Sequence, residues 1–452
     1  MKNSRHITRF TPGSIHELVV LALPLIMVSL SENLMIFFDR IILAHYSLVS
    51  LNAVTLASQA VEIFQFGLWA LVSMSELFVA ACYARNQLKE MAKPCWQMIY
   101  LSLFSLPIVF VLGHFTGVYL LPDRFQFAGL GYYEIAMYGV PLFGIITALS
   151  AFFVGQGKVK LILYSTIVIN VINLILDVVL IFGIKEVIPA LGGEGAAISA
   201  VVSLCVQVIW LFLSYISKKG RATYGTHIAR FNYSYFVKCI KVGAPIALSH
   251  VCEMLAWLFI IRVIAQTNLK NFTIISIGST LYLIYAIIND GLSRSLSTII
   301  SNHINAKNHK SISKTIRSGI GLLLFFLIVL AIAMFMEPNL ILQLFNLSRY
   351  ALHWQHDIKI SFVFIWLYFL FSGLYWIYAS ILTANHRTKF IMVANIFGIW
   401  LLTALPIYFL ARQGDLSAYF IWPIMCVYVL FGFVGIFIYY LRSLRSSLDL
   451  SS

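Results

Sequence analysis

The sequence predicts an all-α polytopic membrane protein of twelve transmembrane helices, and three observations predict it. Apolar residues fill 61% of the 452 positions and charged residues 11%, with a mean hydropathy of +0.90. That is too little charge to coat a soluble surface. The apolar runs are unbroken and long enough to cross a bilayer as helices, and they do not alternate as the strands of a membrane barrel do. They recur at about 17–43, 51–83, 97–121, 132–154, 161–184, 195–217, 235–266, 273–303, 318–345, 358–383, 390–411 and 416–441.

The third observation is where the charge lies. Of the 31 Lys and Arg, 22 fall on alternate connections. Lys2, Arg5 and Arg9 precede the first helix; Arg85, Lys89 and Lys93 follow the second; Lys158 and Lys160 follow the fourth. Six more, from Lys218 to Lys241, lie between the sixth and seventh helices. Lys307, Lys310, Lys314 and Arg317 follow the eighth, Arg387 and Lys389 the tenth, Arg442 and Arg445 the last. The other connections hold Arg124, Lys185, Lys270, Arg349, Lys359 and Arg412. This positive-inside pattern puts both termini in the cytoplasm. The net charge of +14 therefore reports topology and a lipid-bilayer partner, and no nucleic acid is expected. The six Cys residues show no paired ligand spacing and read as packing residues. The polar, basic start and the length of the first apolar run argue against a cleavable signal peptide.

In chain order, one connection looks like a linker: 218–234, KKGRATYGTHIARFNYS, basic and polar, with six spans on either side. This divides the chain into an N-lobe (1–217, helices 1–6), a cytoplasmic linker and a C-lobe (235–452, helices 7–12). The lobes are internally related. LALPLIMVSLSENL (Leu21 to Leu34) aligns with VGAPIALSHVCEML (Val242 to Leu255), pairing Pro24 with Pro245 and Glu32 with Glu253. After a one-residue gap Arg40 matches Arg262. A six-helix unit used twice, starting on the same side each time, is a parallel repeat about the membrane normal and a mark of transporters.

The fifth helix carries the strongest functional signal. Leu163 to Ile184 is apolar except for Thr166, Asn170, Asn173 and Asp177, at steps of 4, 3 and 4. At 100° per residue they fall within about 60° of one another. A carboxylate facing lipid costs about 2.5–3.5 kcal/mol on insertion scales. The stripe must therefore face a partner helix or water, either as interhelical glue or as an ion or proton site. The second-half counterpart, from Phe390, has leucines or Pro406 where Asn173 and Asp177 would fall.

Other constellations accompany it. Asp39 lies deep in the first helix, with Glu32 seven residues earlier on the same face. Asp39 and Asp177 in one cavity would titrate as a unit and hold a proton or a cation more readily than either alone. Na⁺, a hard cation, would also want the neutral oxygen of Asn173 and a hydroxyl. On the second helix Thr55, Gln59, Glu62, Phe66, Trp69, Ser73 and Glu76 form one face, acidic and aromatic, suited to a lipophilic cation or to helix packing. Glu253 sits mid-helix with His250 one turn earlier, either functional or a structural pair. Asp290 and Arg294, four apart, are expected to pair structurally. No nucleotide-binding loop, nucleophile elbow or metal-ligand box is present, so the chain reads as a non-enzyme whose transport draws on an ion gradient.

These residues resemble the multidrug and toxic compound extrusion (MATE) family, NorM-like branch, over essentially the whole chain. The most specific stretches are VGQGKVK (Val154 to Lys160), NVINLILDVVLIFG (Asn170 to Gly183) and PALGGEGAAISA (Pro189 to Ala200), with GLSRSLSTIISNHINAKN (Gly291 to Asn308) in the second half. The resemblance implies two pseudo-symmetric six-helix bundles forming a V-shaped central cavity. It implies a monomer in the plasma membrane, the bacterial inner membrane. The activity implied is antiport, exporting organic cations in exchange for H⁺ or Na⁺, with no cofactor besides that ion. By it, Asp39, Asn173, Asp177 and Ser199 form the N-lobe cation-coupling site, Asp39, Asn173 and Asp177 being the candidate Na⁺ ligands. Glu253 matches the seventh-helix glutamate of the branch and, with Glu32, Gln59 and Glu62, is a candidate substrate contact. The tenth helix departs from the pattern: its acid would fall near Phe371 or Ser372. The alternative is a lipid-linked oligosaccharide flippase of the same superfamily. Its cavity should hold cations for pyrophosphate, whereas intramembrane acids here (Glu32, Asp39, Glu62, Asp177, Glu253, Asp290) outnumber Arg40, Arg262 and Arg294.

Overall fold

A computed structural model describes residues 7–121, 123–184, 187–267, 269–336, 351–414, 416 and 418–449. Lys2, Arg5, Lys185, Arg349 and the expected end of the ninth span lie outside the described residues, as do the side chains of Arg124, Lys270 and Arg445. Among the described residues the protein is helical, with one isolated bridge between Ile184 and Ile188. Eleven helical stretches are long and apolar enough to cross a membrane. They are α1 (Ile15–Tyr46), α2 (Val49–Ala84), α3 (Leu88–Gly117), α4 (Gly129–Val154), α5 (Val159–Phe182), α6 (Gly193–Tyr215) and α7 (Tyr233–Ile264), then α9 (Lys310–Met336), α10 (Asp357–Ala384), α11 (Thr388–Gln413) and α12 (Phe420–Arg442). Between α7 and α9 lies α8, Leu269–Asn305, where the eighth span is expected.

Three spans are interrupted. α2 breaks at Met74, and Glu76 lies in the first turn of the helical piece that follows, buried there (3% exposed). α4 breaks at Tyr138, just ahead of Gly139 and Pro141; Pro141 then falls in the first turn of the following piece, where its missing N–H has no partner to lose. α11 passes through a π-helical turn, Trp400–Ala404, directly before Pro406. Pro406 cannot donate to the preceding turn, and the widened turn absorbs the lost bond.

The chain divides into two compact units. The first is built mainly from Val20–Ala247. In it α4 packs against α2, α3 and α6, and α5 runs along α6. Helices in lipid associate through close packing rather than a hydrophobic drive, so small residues mark their contacts. Ala53, Ala57 and Ala60 on α2 are buried, and a side chain at Gly129 would lie 3.2 Å from the Ala53 carbonyl oxygen. Leu43, Val54, Ile181 and Ala196, from α1, α2, α5 and α6, form a core cluster with Tyr132 of α4 packed on it. That cluster sets the floor of the site described below.

Residues 218–234 are folded onto this same unit. Trp96 Nε1 donates to the Thr226 carbonyl (3.0 Å), Gln97 Nε2 to Arg230 (3.1 Å) and Tyr100 OH to Ala229 (2.9 Å). Gln97 Oε1 accepts from Asn232 N at 2.8 Å. Lys158, in the loop before α5, lies 5.0 Å from the Tyr224 ring centroid; burial and the neighbouring Lys219 push its ammonium pKa down.

The second unit is built mainly from Leu248–Ile300 and the chain from Asn308 onward. Here α10 packs along α12 and α9, and α11 lies against α12. Trp422, fully buried, occupies the space that a side chain at Gly278 would need.

Candidate functional site

The polar stripe of α5 meets a partner at every member. Thr166 Oγ1 accepts from Gln207 Nε2 of α6 at 3.2 Å. Asn170 Nδ2 donates to Ser31 Oγ of α1 at 2.8 Å. Asn173 Nδ2 donates to Ser199 Oγ of α6 at 3.3 Å. The Ser199 hydroxyl donates to Asp177 Oδ1 and sits 2.9 Å from the Ala196 carbonyl oxygen. Asn173, Asp177 and Ser199 are each 0% exposed.

The glycine-rich turn between α5 and α6 brings Ser199 to Asp177. Gly183 (φ +74) and Gly192 (φ +55) take left-handed backbone that only glycine adopts freely. The returning chain then caps α5: Leu191 N donates to the Leu180 carbonyl (3.0 Å) and Gly192 N to Ile181 (3.2 Å). Gly195 closes the approach, since a Cβ there would lie 2.6 Å from the Leu180 carbonyl oxygen. One turn further along α6 stands Ser199.

Asp39, half-buried on α1, completes the centre: its carboxyl is within hydrogen-bonding reach of Asp177. Two carboxyls can hydrogen-bond only when one carries a proton. Asp39 Oδ1, Asn173 Oδ1 and Asp177 Oδ2 are buried without a hydrogen-bond partner. Such orphaned oxygens are costly unless a proton or a hard cation satisfies them. Among the described residues no basic side chain comes within salt-bridge distance of either acid. Arg40 is nonetheless close enough for its charge to act on both Asp39 and Glu62.

Glu62 is half-buried on α2 and, with Asp39 and Asp177, acts electrostatically on Tyr132 of α4. Tyr132 is a member the sequence did not flag; an aromatic in an apolar helix carries no periodic signal. Gln59 and Glu32 are exposed. Phe66 and Trp69 pack edge to face at 6.3 Å on the Glu62 helix.

The second unit has its own polar centre, on Glu253 of α7. Asn395 Nδ2 of α11 donates to Glu253 Oε2 (3.0 Å) and to Ser249 Oγ (2.8 Å), and Asn395 Oδ1 accepts from Tyr428 OH of α12. Gly398 leaves room for the Tyr428 ring. His250 Nδ1 lies 4.0 Å from Glu253 Oε2, and its ring stacks on Trp376 of α10 at 5.9 Å and 4°. On α10 the place of a second acid is taken by Phe371 and the buried Ser372. Asn395 escaped sequence reading because it is one polar residue alone in an apolar run. Among the described residues no cluster of three or more His, Cys, Asp or Glu is arranged to hold a metal ion.

Comparison with known proteins bears on both centres. The MatE family model matches residues 24–179 and 245–409, so each match starts at one of the paired prolines, Pro24 and Pro245. "Probable multidrug resistance protein NorM" of Photorhabdus laumondii is 23% identical over 416 residues, 88% of each chain. The protein of the same name from Bacillus anthracis is 23% identical over 432 residues, 92% of each chain. In fold, the chain is similar over its full length to the outward-facing conformation of a multidrug resistance MATE family transporter of the MOP superfamily. The TM-score is 0.84 at 14% identity, covering 100% of both chains. A MATE crystal structure in the straight conformation gives a TM-score of 0.82 at 14% identity and 96% coverage of each chain. With most of its length matched in two blocks that follow the internal repeat, this multi-pass membrane chain belongs to the MatE family, the multidrug and toxic compound extrusion transporters.

Proposed function

We propose that the protein is a secondary active antiporter that exports organic cations by alternating access, driven by inward flow of H⁺ or Na⁺. The observation that carries this reading is the pair of half-buried Asp39 and fully buried Asp177, closed in by Asn173 and Ser199, with three buried carboxyl and amide oxygens left unpartnered. A proton satisfies one carboxyl and bridges it to the other. Na⁺ would take the carboxylate oxygens together with the neutral Asn173 and Ser199 oxygens. Either ion is cargo moving down its gradient, and it drives export only through its differential affinity for the two states.

Organic cations fit the rest of the site. Glu62 shares α2 with the paired rings of Phe66 and Trp69, and Glu253 lies 4.0 Å from His250, whose ring stacks on Trp376. Carboxylate attraction and cation–π contact suit a lipophilic cation. The relatives named for multidrug resistance support drug export in general. A flippase for lipid-linked oligosaccharides has less support, because acids dominate both centres and a pyrophosphate would need cations there. The alternating Lys and Arg support cytoplasmic placement of both termini, and the family resemblance supports a plasma-membrane location.

The test is efflux of a fluorescent cation from proteoliposomes with pH and Na⁺ gradients imposed separately. One of the two gradients should accelerate efflux; a rate indifferent to both would overturn antiport. For topology, Thr226 is fully buried and makes a poor labelling site, whereas His227 beside it is exposed. A single Cys at His227 should resist an impermeant reagent applied outside intact cells, and labelling there would reverse the orientation.

A further inference from the structure

The turn from α4 into α5 carries cations with no acid beside them. Lys158 closes the turn and Lys160 stands in the first turn of α5, both exposed. A cleft of about 370 Å³ opens there, lined by Val20 of α1 and by Gly157, Lys158, Val159, Lys160 and Leu161. Lys158 is held in place: its ammonium donates to Gln156 Oε1 at 2.6 Å and lies 5.0 Å from the Tyr224 ring centroid. Gln156 is itself buried, and its Nε2 donates to the Phe152 carbonyl at 2.8 Å. These partners are neutral. The charge that acts on the Lys158 ammonium is a like one, Lys219, and among the described residues neither Lys158 nor Lys160 makes an ion pair. A partly desolvated cation facing another cation is unfavourable until an anion joins it.

Apolar surface leads away from the cleft. Val20, Leu23 and Met27 are exposed on one face of α1, and Tyr164, Ile167 and Val171 on one face of α5. Further along, the two helices meet at the Asn170–Ser31 hydrogen bond (2.8 Å) and in the cluster of Leu43 and Ile181. We propose that Lys158 and Lys160 bind the phosphate of an anionic phospholipid whose acyl chains lie along these faces of α1 and α5. Charge and position choose the occupant. The basic ends of the helices are read as cytoplasmic, and that leaflet is the anionic one. A soluble phosphate would gain nothing from the apolar faces, whereas a lipid uses both parts of the surface. Through Lys158 and Tyr224 such a lipid joins the membrane to the segment 218–234.

Native mass spectrometry of the purified full-length protein tests this, with dioleoyl phosphatidylglycerol and dioleoyl phosphatidylcholine titrated separately. The first phosphatidylglycerol should bind about tenfold more tightly than the first phosphatidylcholine, the scale of one charge-assisted contact. Lys158→Gln/Lys160→Gln should lose that preference, and Lys158→Arg/Lys160→Arg should keep it. Lys160→Gln alone, at an exposed position where folding is little affected, should cut the preference to about threefold. Lys89→Gln/Lys241→Gln removes as many exposed cations elsewhere on the same unit and should leave the preference intact. An unchanged preference in the Lys160 variants would overturn the site, and so would an equal loss in the Lys89/Lys241 pair, which would reduce the effect to overall charge. Inorganic phosphate in excess should not displace the lipid; displacement would make this a soluble-anion site and overturn the lipid assignment.

Discussion

The two units carry related helices and unlike polar centres. In the first, the half-buried carboxyl of Asp39 on α1 meets Asp177 of α5, which is fully buried with an amide and a hydroxyl. In the second, a single carboxylate is held by Asn395 and flanked by an imidazole and an indole, partly open. They also fall at different positions of the repeat. Asp39 follows Pro24 by fifteen residues and Glu253 follows Pro245 by eight, and those prolines are the paired positions of the repeat. Seven residues are two helical turns, about 10 Å along the axis. Glu253 is thus the counterpart of Glu32, not of Asp39. A duplicated scaffold has kept its backbone registers and divided its chemistry. A dry pair of acids suits a small ion; a wetter, aromatic, single-acid centre suits a large organic one.

The sharpest way to break this comparison is to remove the close approach that builds the first centre. Gly195→Val would drive side-chain atoms into the Leu180 carbonyl, and overpacking of that kind costs about 1–3 kcal/mol. Ion-driven efflux should fall to background as Ser199 moves off Asp177, with a lowered thermal midpoint in detergent; a silent substitution would mean that the α5–α6 approach is not needed. Next in size is Asn173→Ala. It deletes one neutral oxygen and should weaken the coupling ion by about tenfold without unfolding the protein, the scale of one buried hydrogen-bonding group. Equal apparent ion affinity in the efflux assay would remove Asn173 from the site. The smallest effect is expected at Glu62. It is half-buried and shares the field of Arg40, so Glu62→Gln should weaken cationic dyes by about three- to tenfold and spare neutral ones. Equal loss for both classes would make Glu62 a structural residue.

The sequence exposed the first centre far better than the second, and the reason is physical. Polar residues at steps of 4, 3 and 4 in an apolar helix can be satisfied only from a neighbouring helix, and the structure supplies Ser31, Gln207 and Ser199. Glu253 stood out as an acid in lipid, but its partners Asn395, Tyr428 and Trp376 lie one each on three other helices, with no spacing to betray them. Tyr132 was hidden in the same way. The spans themselves were legible because unbroken apolar runs admit few alternatives. The break at Met74 was not, and it puts Glu76 in a separate helical piece from Glu62. The segment 218–234 looked polar and unattached; the side chains of Trp96, Gln97 and Tyr100, more than a hundred residues away, bind its carbonyls.

The division of labour is tested most directly at Asp177, by measuring two quantities on one preparation. Asp177→Asn keeps the shape of the side chain and removes the charge. Gradient-driven efflux from proteoliposomes should drop to the level of empty vesicles, while equilibrium binding of ethidium to the same protein stays within about threefold of wild type, because an ion with no differential affinity for the two states shifts nothing. Efflux that still responds to the imposed gradient would contradict the account, and so would loss of efflux and dye binding together.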